Sequence, residues 1–469
     1  MITWLQRFFR IIENGSTLRR EVSGGVVTFL TMSYIVFVQP AILSQAGMDF
    51  GAVMVATCLS AALASILMGV MANYPIALAP GMGENFFFTF TVVLMLGIPW
   101  QQALGMVFIS GALFVLLTLL RVREKFINAV PASLKHAIAA GIGLLIGFIG
   151  LVDAGLIVRN NSALMPLASA DGDLVSGLQR FEYASGALKL GDFSLPATQL
   201  AVIGLLLIAL LLVRRVKGAI LWGILATTLV GVLMGVVQWK GLVSAPPSLE
   251  PTFLKLTFKG LFTFQVIPVV IVFFIMDFFD TIGTLIGVSS RAGLLRDNQL
   301  PRASRALMAD AVGTVAGAAL GTSTVSSYIE SAAGVEEGSR TGLSAVVAGL
   351  LFLLAVFFSP LVAMVGGGVA FSAADGLFLY PVTAPVLIVV AVLMLREMIH
   401  VKWDDHSEAI PAALTLVGIP LTYSIADGLA LGFVSYTGIK LLSGRWRDLN
   451  WILVLVTMVF ILRFVLIRF

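Results

Sequence analysis

Charge is scarce in this chain. Only 12% of its 469 residues are Asp, Glu, Lys or Arg, about half the share of a soluble domain. With 59% hydrophobic residues and a mean hydropathy of +1.03, it carries more apolar surface than a water-soluble core hides. Cysteine is nearly absent: Cys58 stands alone in an apolar run, which excludes an intrachain disulfide and a thiolate metal cluster and reads as a packed side chain. The three histidines, His136, His400 and His406, build no metal site and read as solvated or interfacial. No Gly-x-x-x-x-Gly-Lys-Ser/Thr string occurs, so nothing here binds ATP through a P-loop. HExxH and a Ser/His pair are missing from the apolar segments, which argues against an intramembrane enzyme. Residues 1–18 lack the short apolar core and cleavage site of a signal peptide. The alternating strands of an outer-membrane barrel are missing too.

What the chain has instead is a succession of apolar runs, many reaching the roughly 20 residues that span a hydrocarbon core. They fall near 24–43, 50–72, 74–95, 101–121, 133–152, 199–215, 217–237, 262–289, 304–320, 321–338, 340–360, 376–396, 408–424 and 426–443, with a further run at 449–467. Arg7, Arg10, Arg19 and Arg20 precede the first. Arg121, Arg123 and Lys125 follow the fourth, and Arg214, Arg215 and Lys217 the sixth. Arg291, Arg296, Arg302 and Arg305 follow the eighth, Arg340 the tenth, Arg396 and Lys402 the twelfth, and Arg445 and Arg447 the fourteenth. Each cluster therefore lies on the side of the N-terminus, which the Lys/Arg bias makes the cytoplasm. The net charge of +4 comes from these segment ends, not from a basic face for nucleic acid. The run at 449–467 breaks the parity: it is a fifteenth crossing, an in-plane helix or the sign of a re-entrant earlier segment, the last two being favoured. The polar stretch 153–198 reads as an outside cover or linker.

Two carboxylates inside membrane-length segments are the strongest functional signal. Asp280 stands in Asp277-Phe-Phe-Asp280-Thr-Ile-Gly-Thr284, and Glu330 in Gly321-Thr-Ser-Thr-Val-Ser-Ser-Tyr-Ile-Glu330. A charge at bilayer depth costs about 2.5–3.5 kcal/mol on insertion scales, so such residues mark substrate or ion sites. Asp277, Asp280 and Thr284, spaced i, i+3, i+7, share one helix face. Segments 3 and 10 are both short and both open with helix-breaking or β-prone residues: Asn73-Tyr-Pro through Pro80-Gly-Met-Gly83, and Gly321 through Ser327. Val130-Pro131 and Tyr380-Pro381 recur about 250 residues apart. Repeats offset by seven crossings are inverted in the membrane, and paired interrupted segments point to a transport site between them. At the matching place in segment 3, Gly83 permits close backbone approach, Asn85 offers both donor and acceptor, and Glu84 suits either a structural pairing or a proton role. Donors from the backbone beside acceptor carboxylates suit a flat heterocycle better than an inorganic anion. Phe86, Phe87 and Phe88 read as packing, and Asp310 and Asp427 as structural.

The strings Thr28-Phe-Leu-Thr-Met-Ser-Tyr, Asn73-Tyr-Pro through Gly83, Ala140-Gly-Ile-Gly-Leu, Asp277 through Thr284, Met308-Ala-Asp-Ala-Val-Gly-Thr, Gly321 through Ala333 and Pro420 through Gly428 together resemble the AzgA-like adenine, guanine and hypoxanthine permeases. These form a branch of the nucleobase–cation symporter 2 (xanthine/uracil permease) family. The resemblance implies an all-α polytopic membrane protein of uracil-permease-like fold, with about 14 segments in two inverted sevens and short β-strands in segments 3 and 10. It divides the chain into a cytoplasmic start (1–23), a core domain (24–130 and 261–375), a gate domain (131–260 and 376–448) and a C-terminal hydrophobic segment (449–469). It implies proton-coupled uptake of a purine nucleobase across the cell membrane by a homodimer, with the proton as the coupling ion and no cofactor. Its binding residues fall on Asp280, Glu330, Asn85 and Gly83. Thr284 and Tyr328 are added here as substrate contacts, and Asp277 and Glu84 beside Asp280 and Glu330 as proton-coupling groups. One departure is plain: relatives read Gly-Met-Gly-Leu-Asn-Ala where this chain has Glu84 and Phe86 around Asn85. A uracil, xanthine or other heterocycle permease, or more remotely a sulfate-permease-like anion transporter, is the rival reading.

Overall fold

The structure, a computed structural model, describes residues 2–120, 131–159, 188–261, 266–294, 300–372 and 377–466. It is mostly helical. Among the described residues eight helices are long and apolar enough to cross a membrane, and Met82–Met95, Ala219–Leu233 and Trp451–Leu462 are shorter apolar helices. Most of the polar stretch 153–198, together with Arg121, Arg123, Lys125 and Arg296, lies outside the described residues.

In chain order, α1 (Ile2–Phe8) leads to α2 (Leu18–Met32), α3 (Ile35–Gln45), α4 (Phe50–Leu67), α5 (Met82–Phe86) and α6 (Trp100–Leu119). Next come α7 (Ala132–Asp153), α8 (Pro196–Val213) and α9 (Ala219–Leu233), then α10 (Ile267–Arg291), α11 (Ala303–Leu320), α12 (Ser331–Glu336), α13 (Gly342–Ala355) and α14 (Ser359–Val365). The last helices are α15 (Ala384–Leu395), α16 (His406–Thr422), α17 (Ile425–Leu442) and α18 (Trp451–Leu466). Some helix starts fall where the sequence supplies a capping oxygen. Thr17 accepts from the Arg20 N–H at 3.3 Å, Asp49 from Ala52 at 2.8 Å and Ser424 from Asp427 at 3.2 Å.

Two packing groups emerge. One gathers α2, α3, α4, α6 and α10 to α13; the other gathers α7, α8, α9, α15, α16 and α17. Small residues let the first group close tightly: at Gly342 an added Cβ would collide with the backbone of Gly69. α18 leans on α17 through a Thr437–Thr457 hydroxyl pair at 2.8 Å and the Phe433 and Phe460 rings.

The two halves meet in a small clasp. Strand β1 (Leu78–Pro80) and strand β4 (Val325–Ser327; β2 is Ile157–Arg159 and β3 Leu188–Leu190) pair antiparallel, with Leu78 opposite Ser327, Ala79 opposite Ser326 and Pro80 opposite Val325. These are the strands expected in segments 3 and 10. A two-stranded ribbon has unpaired outer edges, which hydrocarbon does not tolerate. One hydroxyl on each side settles this. Ser65 on α4 accepts from the Leu78 N–H at 2.8 Å and donates to the Leu78 carbonyl at 3.0 Å. Thr314 on α11 does the same for Val325, at 3.2 Å and 2.9 Å. Ser65 and Thr314 occupy the second and ninth segments, so the internal repeat extends to the groups that hold the ribbon.

Candidate substrate and proton site

The helix that carries Asp280 is open on one side of that residue and closed on the other. On the face of α10 bearing Asp280, the preceding residues Phe273 and Met276 are buried, at 0% and 4% exposure. Asp280 itself, Gly283 and Ser290 are exposed and Gly287 half-buried. A Cβ added at Gly283 would meet no atom within 4 Å, and one at Gly287 only the Ile329 tip at 3.4 Å. A continuous stripe therefore opens from Asp280 toward the Arg291 end of the helix, about 15 Å at 1.5 Å per residue. The other direction is plugged by Phe273, against which Phe87 packs edge-on at 4.7 Å.

Both expected binding carboxylates line this opening, and hydroxyls hold each of them. Ser326 in β4 donates to Asp280 Oδ2 at 2.9 Å. Tyr34 donates to Glu330 Oε1 at 2.8 Å, and Thr31 reaches the Glu330 carbonyl at 3.4 Å. Tyr34 sits where α2 breaks into α3, which turns its ring away from the helix axis toward the clasp. Glu330 stands immediately before α12, partly exposed. Tyr328 is 5% exposed and donates to the Pro80 carbonyl at 2.5 Å, with its ring 6.4 Å from that of Tyr34.

Behind this rim lies a second, dry layer. Asn85 is fully buried; its amide oxygen accepts from Ser323, which in turn accepts from Gln39 at 3.2 Å. The Asn85 amide nitrogen has no partner among the described residues. Glu84 is 2% exposed, and its carboxylate folds back against Gly81, where it and the Ser326 hydroxyl leave no room for a Cβ. Asp277 Oδ2 lies 3.2 Å from the Thr314 hydroxyl, and Asp310 accepts from Thr281 at 2.6 Å and Ser327 at 3.5 Å. The second oxygens of Asp277 and Asp310 are unpartnered among the described residues. Thr284 is also buried, at 6% exposure. None of these five carboxylates pairs with a lysine or arginine among the described residues.

The structure thus separates what the sequence grouped. Asp280 and Glu330 reach the open stripe, whereas Asn85, Glu84, Asp277 and Thr284 stand behind it. Gly83 faces side chains, with Ile142 of α7 at 3.2 Å and Met276 at 3.4 Å from where its Cβ would be. Four participants were absent from the sequence reading: Tyr34, Gln39, Ser323 as a holder of Asn85, and Asp310 as a neighbour of the clasp. Gln39, a fully buried amide in an otherwise apolar helix, was the one visible signal among them.

The Permease family model, that of xanthine and uracil permeases, matches residues 19–178 and 175–431. The adenine permease AdeP of Escherichia coli is 43% identical, over 99% of this chain and 96% of its own length. The guanine/hypoxanthine permease PbuG of Bacillus subtilis is 42% identical, over 99% of this chain and 100% of its own. Among solved structures, the transmembrane domain of the cyanobacterial bicarbonate transporter BicA superposes with a TM-score of 0.60 at 15% identity, covering 88% of this chain and 97% of that one. At such identity the likeness concerns the fold alone. The architecture is the expected one, an all-α polytopic membrane protein of uracil-permease-like fold.

Proposed function

The chain belongs to the nucleobase permease family, and from that membership we propose that it carries a purine nucleobase into the cell by alternating access, coupled to a proton. The observation that supports this most is the pair Asp280 and Glu330, each held by a hydroxyl donor and both facing one opening. A flat base lying between β4 and α10 presents N–H groups to these two acceptors. Ser326 and Tyr34 fix the carboxylate orientations, so little freedom is lost when the base binds. Two carboxylates on one opening, neither paired with a lysine or arginine among the described residues, disfavour a double negative charge, so one of them takes up a proton with the base. An anion such as the bicarbonate that BicA carries would meet two repelling groups here.

Asn85 acts as a second-edge reader when the clasp moves, and Glu84, Asp277 and Asp310 as the polar backing through which the proton is shared. The core comprises α2 to α6 and α10 to α14, and moves against a gate of α7 to α9 and α15 to α17. By the Lys/Arg bias the Arg291 end of α10 is cytoplasmic, which makes this conformation inward-open, with the N-terminus in the cytoplasm. A homodimer in the cell membrane completes the reading; the chain acts as a carrier and performs no chemistry on the base.

The test is uptake of labelled adenine, hypoxanthine and guanine into cells lacking their own permeases, with xanthine, uracil and sulfate as competitors. Saturable uptake blocked by purines and abolished by a protonophore is the expected result. Asp280→Asn and Glu330→Gln each abolish it at normal surface expression. Normal uptake by both variants overturns the site assignment.

A further inference from the structure

One cluster of titratable groups lies outside that site, on elements of the second packing group. His136, in the first turn of α7, meets Glu397 with Nδ1 and Oε2 2.7 Å apart. Glu397 and His400 belong to the short helical turn Arg396–His400 that follows α15, and the His400 ring lies 5.0 Å from that of His136. The pair is part-exposed, at 31% for His136 and 43% for Glu397, so water reaches it. Its place is set by packing of α7 on α15 and on this turn. By the Lys/Arg bias, the Arg291 end of α10, toward which the open stripe runs, and the Arg396–His400 turn both face the cytoplasm.

Resting on the proposed proton-coupled transport, we propose that His136, Glu397 and His400 form the acceptor that takes the coupling proton from Asp280 and passes it to the cytoplasm. The proton leaves the Asp280 carboxyl group, crosses water in the open stripe, and binds the lone pair of an imidazole nitrogen. With Nδ1–H of His136 donating to Glu397, Nε2 is the atom that receives it. The Asp280 carboxylate regains its charge and one imidazolium forms, so charge and protons balance. The hydrogen bond from His136, with the two imidazoles nearby, holds Glu397 below the usual carboxylate range, which keeps it anionic and able to attract the arriving positive charge.

The other charged groups on the surrounding elements do not offer the same arrangement. Lys135 on α7 and Arg396 and Lys402 around the turn are cations. At the start of α16, Asp405 pairs with Arg445 at 2.8 Å and Glu408 with Lys440 at 3.0 Å, while His406 begins that helix. Asp427 lies in the first turn of α17 and Glu84 is buried on α5.

The experiment uses the full-length protein in liposomes with a trapped pH dye, comparing purine-for-purine exchange with net purine-driven acidification of the lumen. In Glu397→Gln, exchange stays within about twofold of wild type while net uptake and acidification fall roughly a hundredfold, as for loss of a positioned proton acceptor. Glu397→Asp restores net uptake. A proportional fall in both readouts, or a fall in neither, overturns the proposal. Should Glu397→Gln fail to fold, His400→Gln decides by the same comparison. If the wild type exchanges purine but moves no proton with it, the coupling itself fails, a result distinct from loss in the variant alone.

Discussion

Tyr34 shows how much a single side chain settles in this molecule. Its hydroxyl is the donor that holds Glu330 at 2.8 Å, and it comes from a position 296 residues earlier in the chain. A bond of this kind to a charged group contributes about 1.5–3 kcal/mol. Tyr34→Phe should therefore raise the KM for purine uptake by roughly tenfold or more, with the protein still at the surface; an unchanged KM would mean that Glu330 is oriented by something else. The carboxylates themselves were legible in the sequence, because a charge in an apolar run announces its own cost. Tyr34 was not, since a tyrosine in such a run looks like ordinary packing or an interfacial ring. The partner that gives it meaning lies in another segment, and no local period encodes that. The same holds for His136 and Glu397, 261 residues apart: the sequence marked His136 as solvated or interfacial and gave Glu397 no role.

At the scale of elements, the clasp and α10 make opposite demands on glycine. At Gly81 an added methyl would strike the Glu84 carboxylate and the Ser326 hydroxyl together. At Gly283 it would meet open space. Gly81→Ala is accordingly expected to abolish uptake, whereas Gly283→Ala keeps it within about twofold, since a surface-facing helix position gains from alanine. Measured uptake normalised to surface expression separates the two, and equal loss in both would contradict the open stripe. The interrupted segments 3 and 10 were foreseeable from their prolines, glycines and hydroxyl residues. Their register was not, nor that Ser65 and Thr314 would each satisfy one edge of the ribbon. Serine and threonine in apolar helices often bond back to their own helix, and only the packed structure tells the two uses apart.

For the whole molecule, the one-sided opening makes a chemical prediction. Because Cys58 is buried, a cysteine placed on the stripe is the accessible thiol. Ser290→Cys and Gly283→Cys should react with a membrane-impermeant maleimide in inside-out vesicles and be shielded by purine, while Met276→Cys remains unreactive. Labelling of Met276→Cys instead would place the opening on the other side of Asp280.

The β1–β4 ribbon also bears on how the chain is made. Leu78–Pro80 is synthesised some 245 residues before Val325–Ser327 arrives to pair with it, and its backbone groups find no partner strand in the meantime. An extended segment with unpaired N–H and C=O groups is unwelcome in lipid, so during synthesis this stretch has to wait in water, beside Ser65, or in the shelter of the insertion machinery. The binding site then comes into being only after the second half has begun to insert: an emerging chain that has inserted its first half holds Asn85 and Glu84 but has no Asp280, no Glu330, and no ribbon to arrange them around.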